Sequence, residues 1–87
     1  MRKIWHDDAW ADYLYWQTQD KKTLRRINSL IKGIDRNCYD SIGKPEPLGE
    51  NLSGYYSLRI DEKNRIVYRI VDDAIEILQC GSHYRDH

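Results

Sequence analysis

The most regular feature of the chain is a helical repeat of apolar residues in its second quarter. Apolar side chains recur there every three or four positions, at Leu24, Ile27, Leu30, Ile31 and Ile34. This spacing predicts an amphipathic helix to about Asp35, because residues three and four apart lie on one side of an α-helix. Asp20 is suited to cap it by accepting from the first free backbone amides. Such a helix needs an apolar surface to cover its buried side.

A short strand and another helix are expected before this repeat. The sequence RKIW, Arg2–Trp5, predicts a strand, and Asp7 is a candidate cap for a helix that runs to about Gln17. Four further side chains fall at helical spacing, namely Trp10, Tyr13, Leu14 and Gln17. We interpret the aromatic members as core rather than as a ligand-binding surface.

Alternating apolar residues predict three strands near the C-terminal end, at residues 55–60, 66–71 and 74–80. A two-residue turn at Asp72-Asp73 would join the last two as a hairpin. The implied pairs are Ile70 with Ile75, Tyr68 with Ile77, Arg69 with Glu76 and Val67 with Leu78. The resulting fold is α+β, a single domain over residues 1–87 with two N-terminal helices on one face of a mainly antiparallel four-stranded sheet.

The hairpin between the first two of these strands predicts where the arginines point. If Ile60 opposes Ile66 across a loop at residues 61–65, the apolar side chains face the helices and Arg59 faces away from them. Arg65 then lies at the edge of the same open face. We expect Arg69 to pair with Glu76, whereas Arg59 and Arg65 have no obvious local carboxylate.

Between helices and strands, residues 37–54 lose all periodicity and contain GKPEPLG. Pro45 and Pro47 restrict the backbone on both sides of Glu46 and favour extended geometry at Lys44 and Glu46. We therefore predict a fixed irregular loop that holds Glu46 in place.

Charge and cysteine content narrow the function classes. The chain has 14 basic and 14 acidic residues, which argues against strong nonspecific attraction to nucleic acid or membranes. The basic side of the second helix is either a solvated surface or a local phosphate contact. Cys38 and Cys80 have no metal-site or redox spacing, so two reduced thiols and no cofactor are expected. The chain shows no signal peptide or membrane-spanning run, which predicts a cytoplasmic protein.

The sequence GSHYRDH contains His83 and Tyr84 directly after the last predicted strand. A histidine in such a position is usually a surface residue. Together with Glu46 and an unpaired arginine, however, it completes a minimal set for RNA cleavage by the 2′-hydroxyl. One group removes the proton, one stabilises the phosphorane and one protonates the leaving 5′-oxygen.

Five separated blocks resemble the YoeB/Txe toxins of the RelE superfamily over about residues 4–84. They are IWHDDAWADYLYWQTQDKKTLRRINSLIKGIDR, GKPEPL, NLSGYYSLRI, NRIVYRI and HY. The resemblance implies a ribosome-dependent mRNA interferase that cuts in the ribosomal A site and yields 2′,3′-cyclic phosphate and 5′-hydroxyl ends without a metal. It also implies Glu46 as general base, Arg65 as transition-state stabiliser and His83 as general acid, with Arg59 and Tyr84 in support. The implied partners are a cognate antitoxin, the 70S ribosome with its mRNA, and a second copy of the chain.

The chain departs from the family pattern in two places. Gly49 stands where the family usually has lysine after GKPEPL, so Lys44 or Arg59 would have to supply the missing positive charge. Arg85-Asp86-His87 extend beyond the usual His-Tyr terminus.

The alternative is a noncatalytic member that only binds a ribosome or antitoxin surface. A DNA-binding module is disfavoured by the neutral charge and by the lack of a helix-turn-helix pattern.

Overall fold

The apolar repeat forms the longer of two helices in a computed structural model that describes residues 1–37 and 44–81. The helices are α1 (Asp7–Gln19) and α2 (Lys21–Asn37), and a single 3₁₀ turn covers Glu50–Leu52. The strands are β1 (Arg2–Trp5), β2 (Glu46–Pro47), β3 (Tyr56–Arg59), β4 (Arg65–Val71) and β5 (Ala74–Gly81).

The sheet has the strand order β1-β5-β4-β3-β2, in which only the β1–β5 pair is parallel. The predicted α+β class and the antiparallel meander are therefore confirmed. A fifth strand, β2, lies within the segment that we expected to be wholly irregular. With only two residues in the ladder, β2 is too short to produce a visible alternation in the sequence.

The core lies between α2 and one face of the sheet. Ile27, Leu30 and Ile34 are fully buried, as the helical repeat predicted. They belong to one apolar cluster with strand residues that include Leu58, Ile66, Tyr68, Ile75 and Ile77. Because side chains alternate between the two faces of a sheet, the residues between these strand positions point to the open face.

The prediction for the buried side of α1 is partly wrong. Tyr13 packs against the core as expected, but Trp10 and Leu14 are nearly half exposed, whereas Ala9 and Asp12 are buried. The sequence of α1 has large apolar residues on several sides, so its periodicity alone does not identify which side packs. Contact with β5 selects the side that carries the small Ala9 and the polar Asp12.

One of the two predicted helix caps is confirmed. Asp20 Oδ1 accepts hydrogen bonds from the backbone amides of Lys22 and Thr23 at 3.1 and 3.2 Å. Asp7, by contrast, is the first residue of α1, and His6 occupies the N-cap position. The Asp7 carboxylate therefore adds negative charge to the first turn, where the helix dipole favours it, but does not cap.

The hairpin of β4 and β5 agrees with the prediction near its turn and departs from it farther along. Ile70 pairs with Ile75, and Val71 with Ala74, as a two-residue turn requires. Asp72 takes a left-handed φ of 55°, which aspartate tolerates better than most residues. Beyond Tyr68 a β-bulge shifts the register, so Val67 opposes Gln79 rather than Leu78.

The β3–β4 hairpin is shifted by two residues from the predicted register. Ile66 pairs with Leu58 instead of Ile60, and Arg59 pairs with Arg65. The backbone amide of Ile60 donates to the Asn64 carbonyl within the loop. A shift of two preserves which face each side chain occupies, so Leu58 and Ile60 remain buried and Arg59 remains exposed.

Candidate active site on the open face of the sheet

A concave pocket of about 280 Å³ lies on the open face of the sheet, at the β2 end. It combines an apolar lining with four side chains that can form hydrogen bonds or ion pairs. The lining residues are Glu46, Pro47, Leu48, Leu52, Ser57, Arg65, Val67 and Gln79. Pockets that bind small ligands or single groups of larger ones commonly have this composition.

The strand register places four of these residues in one row. Glu46 pairs with Ser57, Ser57 with Val67, and Val67 with Gln79, across β2, β3, β4 and β5. Directly paired residues share a face, so the row forms the floor of the pocket. The bulge after Val67 brings Gln79 into the row, consistent with the common role of bulges in redirecting side chains near functional sites.

Glu46 projects from the edge strand of the sheet and its side chain is 73% exposed. The flanking prolines fit this position because an edge strand does not need every backbone amide for pairing. The Leu48 backbone amide donates to the Tyr55 carbonyl at 2.9 Å and fixes the chain after β2. Lys44, expected to be extended, has a left-handed φ of 55°, so the chain turns sharply before Pro45.

Arg65 approaches Glu46, with 3.6 Å between Arg65 Nη1 and Glu46 Oε1. The expectation that Arg65 lacks a local carboxylate is therefore wrong. Glu46 and Arg65 lie on β2 and β4, which are not neighbours in the sheet. The sequence around Arg65 therefore gives no sign of this pair. The distance exceeds that of a hydrogen bond, and an exposed pair of this kind contributes only about 0–1 kcal/mol. Glu46 is thus close to the Arg65 guanidinium without a direct hydrogen bond to it.

Arg59 adds a second guanidinium beside the first. It is exposed and pairs directly with Arg65 across β3 and β4. Within residues 1–37 and 44–81, no carboxylate lies within ion-pair distance of Arg59. Two like charges in directly opposed positions repel each other, and an anion bound between them would relieve the repulsion.

Ser57 and Gln79 are pocket residues that the sequence analysis did not single out. Ser57 is only 5% exposed, and its hydroxyl has no hydrogen-bond partner in the described part of the chain. The alternation around buried Leu58 could have placed Ser57 on the open face. Gln79 could not have been found this way, because the sequence gives no sign of the bulge.

The remaining predicted site residues are Lys44, His83 and Tyr84. Lys44 is exposed and is not among the lining residues. His83 and Tyr84 lie outside the described residues, as do Cys38 and the Arg85-Asp86-His87 extension. The described part of β5 ends at Gly81, which pairs with Arg65.

A second charged cluster lies on the same face, farther from β2. Arg69 Nε donates to Glu76 Oε1 at 2.6 Å, as predicted for this pair, and its guanidinium lies over the Tyr55 ring at 5.0 Å. His6 Nε2 lies 2.6 Å from Glu76 Oε2. The hydrogen bond from Arg69, followed by that with His6, holds the pKa of Glu76 below its ordinary range.

Residues 1–37 and 44–81 contain no group of three or more His, Cys, Asp or Glu side chains arranged to hold a metal ion. None of their helices has the length and apolar character needed to span a membrane.

Comparison with known proteins identifies the family of this chain. Residues 5–84 match the model of the YoeB-like toxin of the bacterial type II toxin–antitoxin system. The chain is 49% identical over 84 residues to toxin YoeB of Escherichia coli K12, covering 97% of this chain and 100% of that toxin.

Solved structures of relatives have the same fold. YoeB in a heterotetrameric YoeB–YefM toxin–antitoxin complex from Staphylococcus aureus is 46% identical, with a TM-score of 0.90 and coverage of 97% and 98% of the two chains. A YoeB dimer from the same organism gives 46% identity, a TM-score of 0.87 and the same coverage. Sequence and fold agree over nearly the full length, and the chain belongs to the YoeB-like toxins of bacterial type II toxin–antitoxin systems.

Proposed function

We propose that this toxin is a ribosome-dependent mRNA endoribonuclease that cleaves in the A site and thereby inhibits translation. The observation that carries the proposal is the approach of Arg65 to Glu46 at the pocket, with Arg59 directly beside Arg65. A base and two cations next to one another suit a phosphodiester whose 2′-hydroxyl must be deprotonated while negative charge develops on phosphorus.

In the proposed reaction, Glu46 accepts the 2′-hydroxyl proton as the 2′-oxygen forms a bond to phosphorus. Arg65, supported by Arg59 and Lys44, stabilises the charge on the nonbridging oxygens. The bond from phosphorus to the 5′-oxygen breaks as His83 donates a proton to that oxygen, with Tyr84 in support. The products are a 2′,3′-cyclic phosphate and a 5′-hydroxyl, and the side chains supply each proton transfer without a metal.

The assignment of the general acid rests on the sequence. His83 follows Gly81 by two residues, and Gly81 is the partner of Arg65 in the sheet.

The ribosome has a physical role in this proposal. A net charge of zero gives the toxin little general affinity for free RNA. Holding the 2′-oxygen, phosphorus and 5′-oxygen in line can be worth about 7–11 kcal/mol, and the A site would provide that alignment. Efficient cleavage of naked RNA at low toxin concentration would contradict this role. Action on ribosomes places the toxin in the cytoplasm.

Solved structures of relatives support the proposal of two protein partners. S. aureus YoeB has been solved in a complex with YefM and as a dimer. We propose that this toxin likewise binds a cognate antitoxin, which inhibits it, and that it forms a homodimer.

Primer extension on a translated mRNA tests the proposal. Wild-type toxin should produce discrete new ends at A-site codons, and Glu46→Gln should remove them while the protein remains folded. Glu50→Gln is the matched control, because Glu50 is an exposed acid that does not line the pocket. Translation arrest by the wild type without new RNA ends would instead support the noncatalytic binding alternative, which the missing side chain at Gly49 favours.

A further inference from the structure

The pocket on the open face contains an uncharged part for which the proposed reaction has no use. Glu46 and Arg65 line the pocket and act on the reacting groups of the RNA. Ser57 and Gln79 add polar groups without charge, and the apolar lining comes from Pro47, Leu48, Leu52 and Val67. This uncharged part is therefore available for a neutral portion of the same substrate.

The side-chain amide of Gln79 is held in a defined orientation. Its nitrogen, Nε2, donates to the Gly81 carbonyl oxygen at 3.1 Å, and a carbonyl oxygen can only accept, which fixes the side of the amide that carries nitrogen. Within the described part of the chain, the Gln79 Oε1 atom accepts no hydrogen bond. Gln79 therefore retains one acceptor and one further N–H for a ligand.

Ser57 contributes a buried hydroxyl that has no partner of its own. The residue is 5% exposed, and its Oγ makes no hydrogen bond with the residues that the structure describes. Buried polar atoms in proteins nearly always have a hydrogen-bond partner. Rotation about the Cα–Cβ bond moves the oxygen among three staggered positions, so the hydroxyl can turn toward a ligand on the pocket floor. An unpaired hydroxyl at this place indicates ligand binding rather than a role in folding.

The chemistry of this uncharged part matches a nucleobase. A base has two flat faces and an edge of hydrogen-bond donors and acceptors. Proteins that bind unpaired bases cover the faces with apolar or aromatic side chains and form hydrogen bonds to the edge. Leu48, Leu52 and Val67 offer surfaces for the faces, and Ser57 and Gln79 offer groups for the edge. Because neither polar side chain is charged, this part of the pocket is unsuited to a second phosphate.

The position of Glu46 selects which base enters. In the proposed reaction Glu46 accepts the proton of the attacking 2′-hydroxyl, and it also lines the pocket. That hydroxyl belongs to the nucleotide on the 5′ side of the cleaved bond, and the base of this nucleotide is attached to the adjacent ribose carbon. We propose that the pocket binds this base and that Gln79 and Ser57 determine specificity by forming hydrogen bonds to its edge. The inference rests on the proposed function.

Removing the base from the substrate tests the inference. Single-turnover cleavage on ribosomes would compare a normal mRNA with one that has an abasic ribose, 2′-hydroxyl intact, on the 5′ side of the cleaved bond. On the normal mRNA, Gln79→Leu should lower the cleavage rate about 10-fold and Ser57→Ala should lower it less. On the abasic mRNA the wild type should slow by at least as much, and both variants should match it, because the group that they contact is already absent.

Controls separate this inference from the proposed function. Gln17→Leu makes the same exchange at an exposed position of α1 outside the pocket, and it should cleave both mRNAs like the wild type. Thermal melts would verify folding, and Ser57→Ala carries the test if Gln79→Leu does not fold.

Each failure has its own signature. If Gln79→Leu and Ser57→Ala lose as much on the abasic mRNA as on the normal one, they do not act through the base and the inference is overturned. Equal cleavage of the two mRNAs by the wild type also overturns it. If Glu46→Gln cleaves the normal mRNA like the wild type, the proposed function fails and the inference fails with it.

Discussion

Arg59 and Arg65 stand directly opposite each other on β3 and β4, on the face that carries the candidate pocket. Glu46 approaches Arg65 and leaves Arg59 without a carboxylate in the described part of the chain. The pair is therefore an arrangement that costs stability in the free protein and becomes favourable when an anion binds. Removing the Arg59 charge should therefore raise the stability of the free protein and lower its activity.

Arg59→Gln tests this trade-off. Relief of the repulsion should raise the free energy of unfolding by a few tenths of a kcal/mol, up to about 1 kcal/mol, while A-site cleavage falls. Urea denaturation and primer extension would measure the two effects. Arg59→Lys keeps the charge and should change both less. A variant that loses stability together with activity would show that Arg59 serves the fold rather than anion binding.

Gly49→Lys should be accepted by the fold and should raise cleavage. The φ of Gly49 is −119°, which other residues adopt, and a Cβ there would have no atom within 4 Å. We expect a stability change within about 0.5 kcal/mol and a severalfold gain in activity from the added positive charge. Gly49→Gln supplies a side chain without the charge. Equal activity of the two variants would exclude the electrostatic explanation.

Ser57→Ala should not destabilise the protein, although Ser57 is buried. Its hydroxyl has no hydrogen-bond partner among the described residues, so removing it discards a desolvation penalty. The expected change in the free energy of unfolding is between zero and a gain of about 1 kcal/mol, measured by urea denaturation. Ser53→Ala, at an exposed position, is the control. A clear loss of stability would mean that the hydroxyl is bonded in solution.

The stability contribution of Glu76 should depend on pH. Arg69, and then His6, lower its pKa from the ordinary value of 4.5. The contribution is therefore complete above that value and is lost as the pH falls through the lowered pKa. At neutral pH, Glu76→Gln should cost about 1 kcal/mol, and the difference from wild type should shrink on acidification. Denaturation series for wild type, Glu76→Gln and the exposed-loop control Glu62→Gln would show whether the difference converges.

Periodicity predicted those parts of the fold in which one apolar face is buried. The apolar repeat predicted helix α2 and its buried side. The alternation around Leu58 and Ile66 predicted the meander and the side of the sheet that faces the core. The alternation also placed Arg59 on the open face despite an error of two residues in the hairpin register. The proline pair drew attention to Glu46, which lines the pocket, and its role in catalysis stays a prediction.

Other features depend on contacts that no local pattern contains. The packed side of α1 is decided by β5, which lies more than sixty residues away in sequence. Arg65 and Glu46 come close to each other only because β3 pairs with both of their strands. The roles of His83 and Tyr84 remain predictions, because these residues lie outside the described part of the chain.

The extra residue at Leu78 has a consequence for how this protein can vary. Before it, odd-numbered Ile75 and Ile77 face the helices, whereas after it even-numbered Cys80 does so. Deleting Leu78 would leave a regular ladder in which Gln79 still opposes Val67 and Cys80 still opposes Ile66, so both side chains would keep their faces. The strand can therefore lose one residue at the bulge, whereas a deletion nearer the turn that kept the bulge would change which residue opposes Val67 at the pocket floor.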